Sequence, residues 1–156
     1  MKKTLIALLV VLAIGSVYLV LSKDNRLEKN TPLGPKIVRL YKSPTCGCCD
    51  GYAKYLKWNG YEVEVRNVAD MSVIKKKYNV PSNLFSCHTV DFGDYVVEGH
   101  IPIEAIDKLL TEKPDIKGIG MPGMPAGSPG MGGSKKGPFN VYTIEKDGSI
   151  QEFVSI

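Results

Sequence analysis

Three cysteines lie within four positions of the sequence, at Cys46, Cys48 and Cys49. Cys46 and Cys49 form a C-x-x-C pair, which is the spacing of a redox dithiol. Cys48 adds a thiol that a dithiol catalyst, with one attacking and one resolving sulfur, does not need. The cluster therefore has two interpretations, a disulfide-exchange site or a metal site, and other residues must separate them.

Cys87 and His88 supply a fourth thiol and an imidazole further along the chain. Thiolates and imidazole are soft to borderline ligands that suit Cu(I), Zn(II) or an iron–sulfur cluster. A closed zinc site would use Cys46, Cys49, Cys87 and His88 as a tetrahedron. An exported cysteine-rich site near methionines favours copper, and adjacent thiolates that can bridge predict the binding of several copper ions.

Further candidate ligands lie in a stretch rich in glycine, methionine and proline, and just before a predicted helix. Thioethers bind Cu(I), so the methionines are candidates for a copper lid, although they equally fit simple burial. We interpret the histidine as a turn residue that caps the helix in preference to a ligand. These additional candidates are Met121, Met124, Met131 and His100.

The elements that position these residues follow the order β-α-β-α-β-β-α. In chain order the sequence predicts strand 36–43, a helix from Cys46, strand 61–68, helix 71–78, strands 87–92 and 95–98, and helix 103–110. The first two strands are parallel because a helical crossover joins them. Tyr52, Tyr55 and Trp58 of the first helix are expected in the core. This order is that of the thioredoxin-like fold, in which a C-x-x-C begins the first helix.

The chain continues after the last helix of this order, helix 103–110. Residues 118–137 have no helical or strand period, so the sequence predicts a loop. The remaining residues predict a β-hairpin that turns at Asp147-Gly148 and extends the sheet or packs on its edge. The expected fold class is therefore α/β, thioredoxin-like with an added C-terminal hairpin.

The expected topology brings Cys87 and His88 beside the start of the first helix. Thiols there are favoured as thiolates, the form that both attacks disulfides and binds metals. Thioredoxin-like oxidoreductases carry a cis-proline at this place to present their substrate, and a thiol with an imidazole fits metal coordination better. Metal binding is thus preferred, and an enzymatic activity as a thiol–disulfide oxidoreductase through Cys46 and Cys49 stays open.

An uncharged apolar run, residues 4–21, follows two lysines at the N-terminus. Its length is at the lower edge for a membrane-spanning helix, and the lysines place the rest outside the cytoplasm. We expect segment 1–22 to anchor a periplasmic domain, residues 36–156, to the inner membrane through a linker, residues 23–35. A signal peptide that is cleaved to release a secreted protein is the alternative.

Composition and net charge indicate a folded protein and bear on whether it binds nucleic acid. The chain has 156 residues, of which 44% are hydrophobic, so it can form a hydrophobic core. Its net charge of +4 is mild, and no aromatic-basic stripe accompanies the short lysine runs. We therefore expect no nucleic-acid partner.

Four stretches in order resemble the CopG-type copper-resistance proteins, which are small exported metal-binding proteins. They are SPTCGCCDGYAKYL, VPSNLFSCHTV, YVVEGHIP and GMPAGSPGM, and the similarity runs from Ile37 to Met131. The resemblance implies a thioredoxin-like fold and a copper-binding cysteine cluster in copper handling or resistance, with other exported copper-handling proteins as partners. Carried onto this sequence, it gives Cys46, Cys48, Cys49 and Cys87 as the cluster, with His88 and His100 as further candidates.

Overall fold

The computed structural model describes residues 33–156, and within them it confirms the expected mixed α/β class. Three α-helices accompany a single seven-stranded sheet in this range. The helices are α1 (Gly47–Trp58), α2 (Met71–Lys77) and α3 (Ile103–Glu112). The strands are β1 (Ile37–Lys42), β2 (Glu62–Asn67), β3 (His88–Asp91), β4 (Val96–Glu98), β5 (Gly118–Gly120), β6 (Asn140–Ile144) and β7 (Glu152–Ser155).

The sheet has the strand order β2-β1-β3-β4-β5-β6-β7. β1 and β2 are parallel and are joined through α1, as the sequence predicts, whereas β3 runs antiparallel to both β1 and β4. β5 is parallel to β4, and β6 and β7 pair antiparallel at the edge. In the β1–β3 register Lys42 pairs with His88, so the end of β1, which leads to the cysteine-bearing helix, lies beside the start of β3.

Hydrophobic residues cover both faces of the sheet. Because successive strand residues point to opposite faces, Val97 lies in the larger core with α1 and α3, whereas Val96 lies in a smaller cluster. Helix α1 follows the predicted pattern, since its buried residues, which include Tyr52 and Leu56, recur at helical spacing. Trp58 contradicts the expectation of burial, because it lies two positions after Leu56 on the opposite side of the helix and is 88% exposed.

Strand β5 corrects the predicted loop of residues 118–137, whose first three residues form it. All three are buried, so they show no alternation of polar and apolar residues that would indicate a strand. Glycine is needed here because a Cβ on Gly118 would lie 1.9 Å from the carbonyl oxygen of Val96. The strand is therefore specified by close packing of backbones, which a hydrophobic pattern does not report.

The predicted membrane segment and most of the predicted linker lie outside the described residues. None of the helices within residues 33–156 is long and apolar enough to cross a membrane.

Candidate metal centre

The first part of the site is the turn between β1 and α1. The backbone N–H of Cys46 donates to the carbonyl of Ser43 at 3.2 Å, which closes this turn. Cys46 is the N-cap residue of α1, and its side chain makes no capping hydrogen bond. Its sulfur is joined to that of Cys49 in a disulfide, and Cys48 is a free thiol. The positive end of the helix dipole therefore faces the cysteine cluster.

A buried lysine supports this turn. The ammonium of Lys42 lies 3.1 Å from a carboxylate oxygen of Asp50, in the first turn of α1. It also contacts the carbonyl oxygen of Pro44 at 3.5 Å. Lys42 thereby ties the end of β1 to the start of the helix, which holds the backbone on both sides of Cys46 in place.

Cys87 completes a compact group of sulfur atoms. It directly precedes β3, and its sulfur lies 3.8 Å from that of Cys48. The sulfur of Cys48 is in turn 3.5 Å from that of Cys46. Cys49 is buried and its sulfur lies 3.8 Å from the backbone carbonyl oxygen of Cys87. The four sulfur atoms all lie within 4.8 Å of one another, so the structure brings the four cysteines together.

Two buried imidazoles lie close to the sulfur of Cys87. Nε2 of His100 lies 3.1 Å from the sulfur of Cys87, and Nδ1 of His88 lies 3.5 Å from it. The structure contradicts the interpretation of His100 as a helix cap, because the N-cap of α3 is Pro102 and Nδ1 of His100 bonds the carbonyl oxygen of Pro129 instead. Cys87, His88 and His100 form a second potential ligand set within 4.8 Å, and it shares Cys87 with the four sulfurs.

Burial controls the protonation of this second set. Burial, followed by the neighbouring Cys48 thiol, raises the pKa of Cys87 to about 12. Burial lowers the pKa of His88 well below its usual range and lowers that of His100 as well. Both imidazoles are therefore neutral at pH 7, which is the form that binds metals, whereas Cys87 must lose its proton on binding.

The arrangement fits a soft metal ion. The side chain of His88 is completely buried, and among residues 33–156 its Nε2 has no hydrogen-bond partner. A buried polar atom without a partner is costly, and a metal ion is one way to satisfy such a nitrogen. The sulfur and imidazole donors suit Cu(I) or Zn(II). With the Cys46–Cys49 disulfide formed, only Cys48 and Cys87 remain as thiols in the cluster, so full thiolate coordination requires its reduction.

A buried ion pair behind Cys87 was missed by the sequence reasoning. The carboxylate of Glu98 is fully buried and pairs with the buried ammonium of Lys75. It also accepts hydrogen bonds from the hydroxyl of Thr89 at 2.6 Å and from the backbone N–H of Ser86 at 2.7 Å. Burial raises the pKa of Glu98. The contact with Ser86 fixes the backbone immediately before Cys87, and no local sequence pattern indicates it.

The three candidate methionines lie in different environments. Met121 is buried in the main hydrophobic core. Met124 is 54% exposed, and Met131 is half-buried. The structure therefore shows a packing role for Met121 and does not bring the three side chains into one buried group.

Comparisons with known proteins found similarity to one protein family and to two solved structures. A family model described as "Protein of unknown function, DUF411" matches residues 84–131, which include Cys87 and both histidines. No curated protein matches this chain. Two solved structures are similar to it, "Copper resistance protein copG- Form 1" and "Copper resistance protein copG- Form 2". Each is 36% identical with a TM-score of 0.72, and each match covers 78% of this chain and 98% of the other.

Proposed function

Since this chain belongs to the CopG-type copper-resistance family, we propose that it binds Cu(I) through its thiolates in copper handling or resistance. The observation that carries the proposal is the convergence of four cysteine sulfurs within 4.8 Å, with Cys87 shared by two imidazoles. Cu(I) prefers such soft ligands. Adjacent sulfurs that can bridge, together with two ligand sets, support the binding of more than one copper ion.

The ligands in this proposal are those that the geometry brings together. The thiolates of Cys46, Cys48, Cys49 and Cys87 form the principal set, and His88 and His100 supply nitrogen from the second set. Exposure of Met124 favours an accessory role at most, because a side chain open to water is not held toward the sulfurs.

A redox role accompanies binding in this proposal. Two thiolates that form the Cys46–Cys49 disulfide lose one electron each, and two Cu(II) ions gain one each to become Cu(I). The reverse reaction oxidises two Cu(I) ions and restores the two thiolates. The presence of this disulfide beside two free thiols supports the exchange, since both the oxidised and the reduced partners lie in one cluster.

The fold and location are proposed on the same basis. The parallel β1–α1–β2 unit, the antiparallel β3–β4 pair and the C-x-x-C at the start of α1 support a thioredoxin-like domain with a C-terminal hairpin, β6 and β7. The apolar run at residues 4–21 supports export to the periplasm with an anchor in the inner membrane. Other exported copper-handling proteins would then deliver or receive the metal.

An anaerobic titration of the reduced chain with Cu(I), in competition with a strong chelator, tests the proposal. We expect the protein to compete and to lose this ability when Cys46, Cys48 and Cys49 are all replaced by serine. Lys54→Ser is the matched control, because Lys54 is exposed on the same helix. Failure of the wild-type chain to compete, or equal binding by the triple variant, would refute copper binding at this cluster.

The Cys46–Cys49 disulfide also favours a second candidate, a thiol–disulfide oxidoreductase. This activity requires only these two cysteines, so exchange with glutathione should survive both Cys48→Ser and Cys87→Ser. Loss of exchange in Cys48→Ser would count against it. A structural zinc site is separated from a copper site by elemental analysis of protein purified from its own membranes.

A further inference from the structure

The covering loop, residues 121–131, is attached to the site by its backbone. The hydroxyl of Ser86, next to Cys87, donates to the carbonyl oxygen of Gly123 at 2.6 Å. At the other end of the loop, the carbonyl oxygen of Pro129 lies 2.7 Å from Nδ1 of His100. The covering loop therefore contacts both Ser86, which precedes Cys87, and the candidate ligand His100.

The Pro129 carbonyl is presented by a tight turn. The backbone N–H of Met131 donates to the carbonyl oxygen of Ser128 at 2.9 Å, and Gly130 has φ +79°. Proline followed by glycine with positive φ is the sequence and conformation of a type II turn. The bond that closes this turn uses the carbonyl of Ser128, so the carbonyl of Pro129 is free to accept a hydrogen bond from elsewhere.

Two glycines let this turn approach helix α1. A Cβ on Gly51 would lie 2.7 Å from the carbonyl oxygen of Gly130, and a Cβ on Gly130 would lie 2.4 Å from the backbone nitrogen of Tyr52. Neither contact is compatible with a side chain unless the backbone shifts. By contrast, a Cβ on Gly47, in the same helix, would meet nothing within 4 Å. The position of the turn therefore depends on the absence of a side chain at Gly51.

The contact with Pro129 decides which nitrogen of His100 is free. A carbonyl oxygen only accepts hydrogen bonds, so Nδ1 must carry the proton in the neutral ring. Nε2 then has its lone pair available, and this atom faces the sulfur of Cys87 at 3.1 Å. Metal-binding histidines commonly donate their other N–H to such an acceptor, which fixes both the tautomer and the direction of the ring.

We propose that the Pro129 carbonyl is a positioning group that holds His100 as its Nδ1–H tautomer and keeps Nε2 free to share a metal ion with Cys87. Packing of Gly130 against Gly51 sets the position of that carbonyl. The consequence for metal binding rests on the proposed copper function, whereas the tautomer is a property of the metal-free protein. The role of the covering loop is thus to orient a ligand through its backbone.

Long-range proton–nitrogen NMR of the full chain, reduced and free of metal, tests the tautomer directly. The chain has two histidines, so His88→Gln assigns the spectrum. We expect a protonated Nδ1 and an unprotonated Nε2 in His100. In Gly51→Ala we expect the Nε2–H tautomer to increase and the affinity for Cu(I) to fall about 10- to 100-fold. The matched control, Gly47→Ala, should behave as the wild type in both measurements.

A predominant Nε2–H tautomer in the wild-type chain would overturn the proposal, as would indistinguishable results for Gly51→Ala and Gly47→Ala. If Gly51→Ala does not fold, Gly130→Ala displaces the same turn from the loop side and must give the same tautomer change. An Nδ1–H tautomer in a chain that binds no Cu(I) would refute the copper proposal and support the positioning of His100.

Discussion

Replacement of Glu98 tests whether the buried ion pair maintains the site. One oxygen of its carboxylate, Oε1, accepts from both the Lys75 ammonium and the backbone N–H of Ser86, and Oε2 accepts from the hydroxyl of Thr89. Glu98→Ala leaves all three donors without this acceptor in a buried place. Removal of one member of a buried ion pair typically costs about 3–5 kcal/mol, and we expect a loss of that size.

Glu98→Gln separates the charge from the hydrogen bonds. An amide oxygen in place of Oε1 still accepts from Lys75 and Ser86, and the amide nitrogen can donate to the oxygen of Thr89. The variant therefore keeps the geometry and replaces a charged acceptor with a neutral one. We expect a loss of about 1.5–3 kcal/mol, the usual contribution of a hydrogen bond to a charged group.

The assay is urea unfolding of the reduced protein, with stability compared at an unchanged m-value. Glu152 is an exposed glutamate in β7, so Glu152→Ala and Glu152→Gln are the matched controls. Both should lie within about 0.5 kcal/mol of the wild type. A loss below about 1 kcal/mol in Glu98→Ala would refute the argument, because the buried Lys75 ammonium, the buried Thr89 hydroxyl and the partly buried Ser86 N–H cannot lose their acceptor at so small a cost.

A double variant distinguishes stability from the geometry of the site. Lys75→Met with Glu98→Leu replaces the ion pair with apolar side chains, a change that is often neutral or stabilising. It also removes the acceptor for the Ser86 N–H, next to Cys87. We therefore expect a smaller loss of stability than in Glu98→Ala, because no buried charge is left unpaired, and a fall in Cu(I) affinity of about 10- to 100-fold, as for other groups that orient metal ligands. Unchanged affinity would show that Glu98 acts on stability alone.

Two further predictions concern residues away from the sulfurs. Burial, followed by the charge of Asp107, raises the pKa of Tyr61 to about 12, and among residues 33–156 its buried hydroxyl has no partner. Since the unfolded pKa is about 10, the protein should lose stability as pH rises from about 10 to 12, by at most about 1.4 kcal/mol per pH unit from this group. In denaturant titrations across that range, Tyr61→Phe should reduce the loss and cost nothing at pH 7. Tyr52→Phe should cost about 1 kcal/mol at pH 7, because it removes a 2.9 Å hydrogen bond to a backbone carbonyl. An unchanged alkaline loss in Tyr61→Phe would contradict the first prediction. Gly118→Ala should destabilise the fold by about 1–3 kcal/mol in thermal or urea unfolding, because its Cβ would overlap a carbonyl of β4. Gly132→Ala, in open space, should change stability by less than about 0.5 kcal/mol, and equal effects of the two substitutions would show that β4 and β5 are not so closely packed.

The sequence predicted the residues whose positions follow from local pattern. Cys46, Cys48 and Cys49 are close together because they share one turn of backbone, and Cys87 joins them because it directly precedes a strand that starts beside that turn. The first inference needs only the spacing of the cysteines, and the second needs the element order and the topology expected from it. Trp58 was assigned wrongly because it is the last residue of α1, and an apolar residue there satisfies hydropathy without facing the core.

Contacts between distant segments could not be read from local pattern. His100 was interpreted as a cap because its neighbours in sequence are a turn and a helix, yet its partner is Pro129, 29 positions later. The Lys75–Glu98 pair spans 23 positions, and neither residue has a nearby sequence signal for burial. These contacts arise because β4 and the covering loop pack around the start of β3, and such packing depends on the whole fold.

The disulfide connects the proposed copper and redox functions through the same atoms. While Cys46 and Cys49 are bonded to each other, Cys48 and Cys87 remain as thiols beside the imidazoles of the second ligand set. Reduction restores two further thiolates, so the capacity for Cu(I) should rise with the number of electrons stored in the cluster. Because Cys87 belongs to both sets and is free in the oxidised form, Cys87→Ser should weaken copper binding in either redox state. Cys46→Ser cannot form the Cys46–Cys49 disulfide and leaves Cys49 as a thiol, so it should weaken binding relative to the reduced wild type and not relative to the oxidised wild type. The measurement is competition for Cu(I) before and after reduction of the protein. An equal loss of Cu(I) affinity in Cys46→Ser, relative to the wild type in each state, would show that copper binding does not depend on the redox state of the thiols.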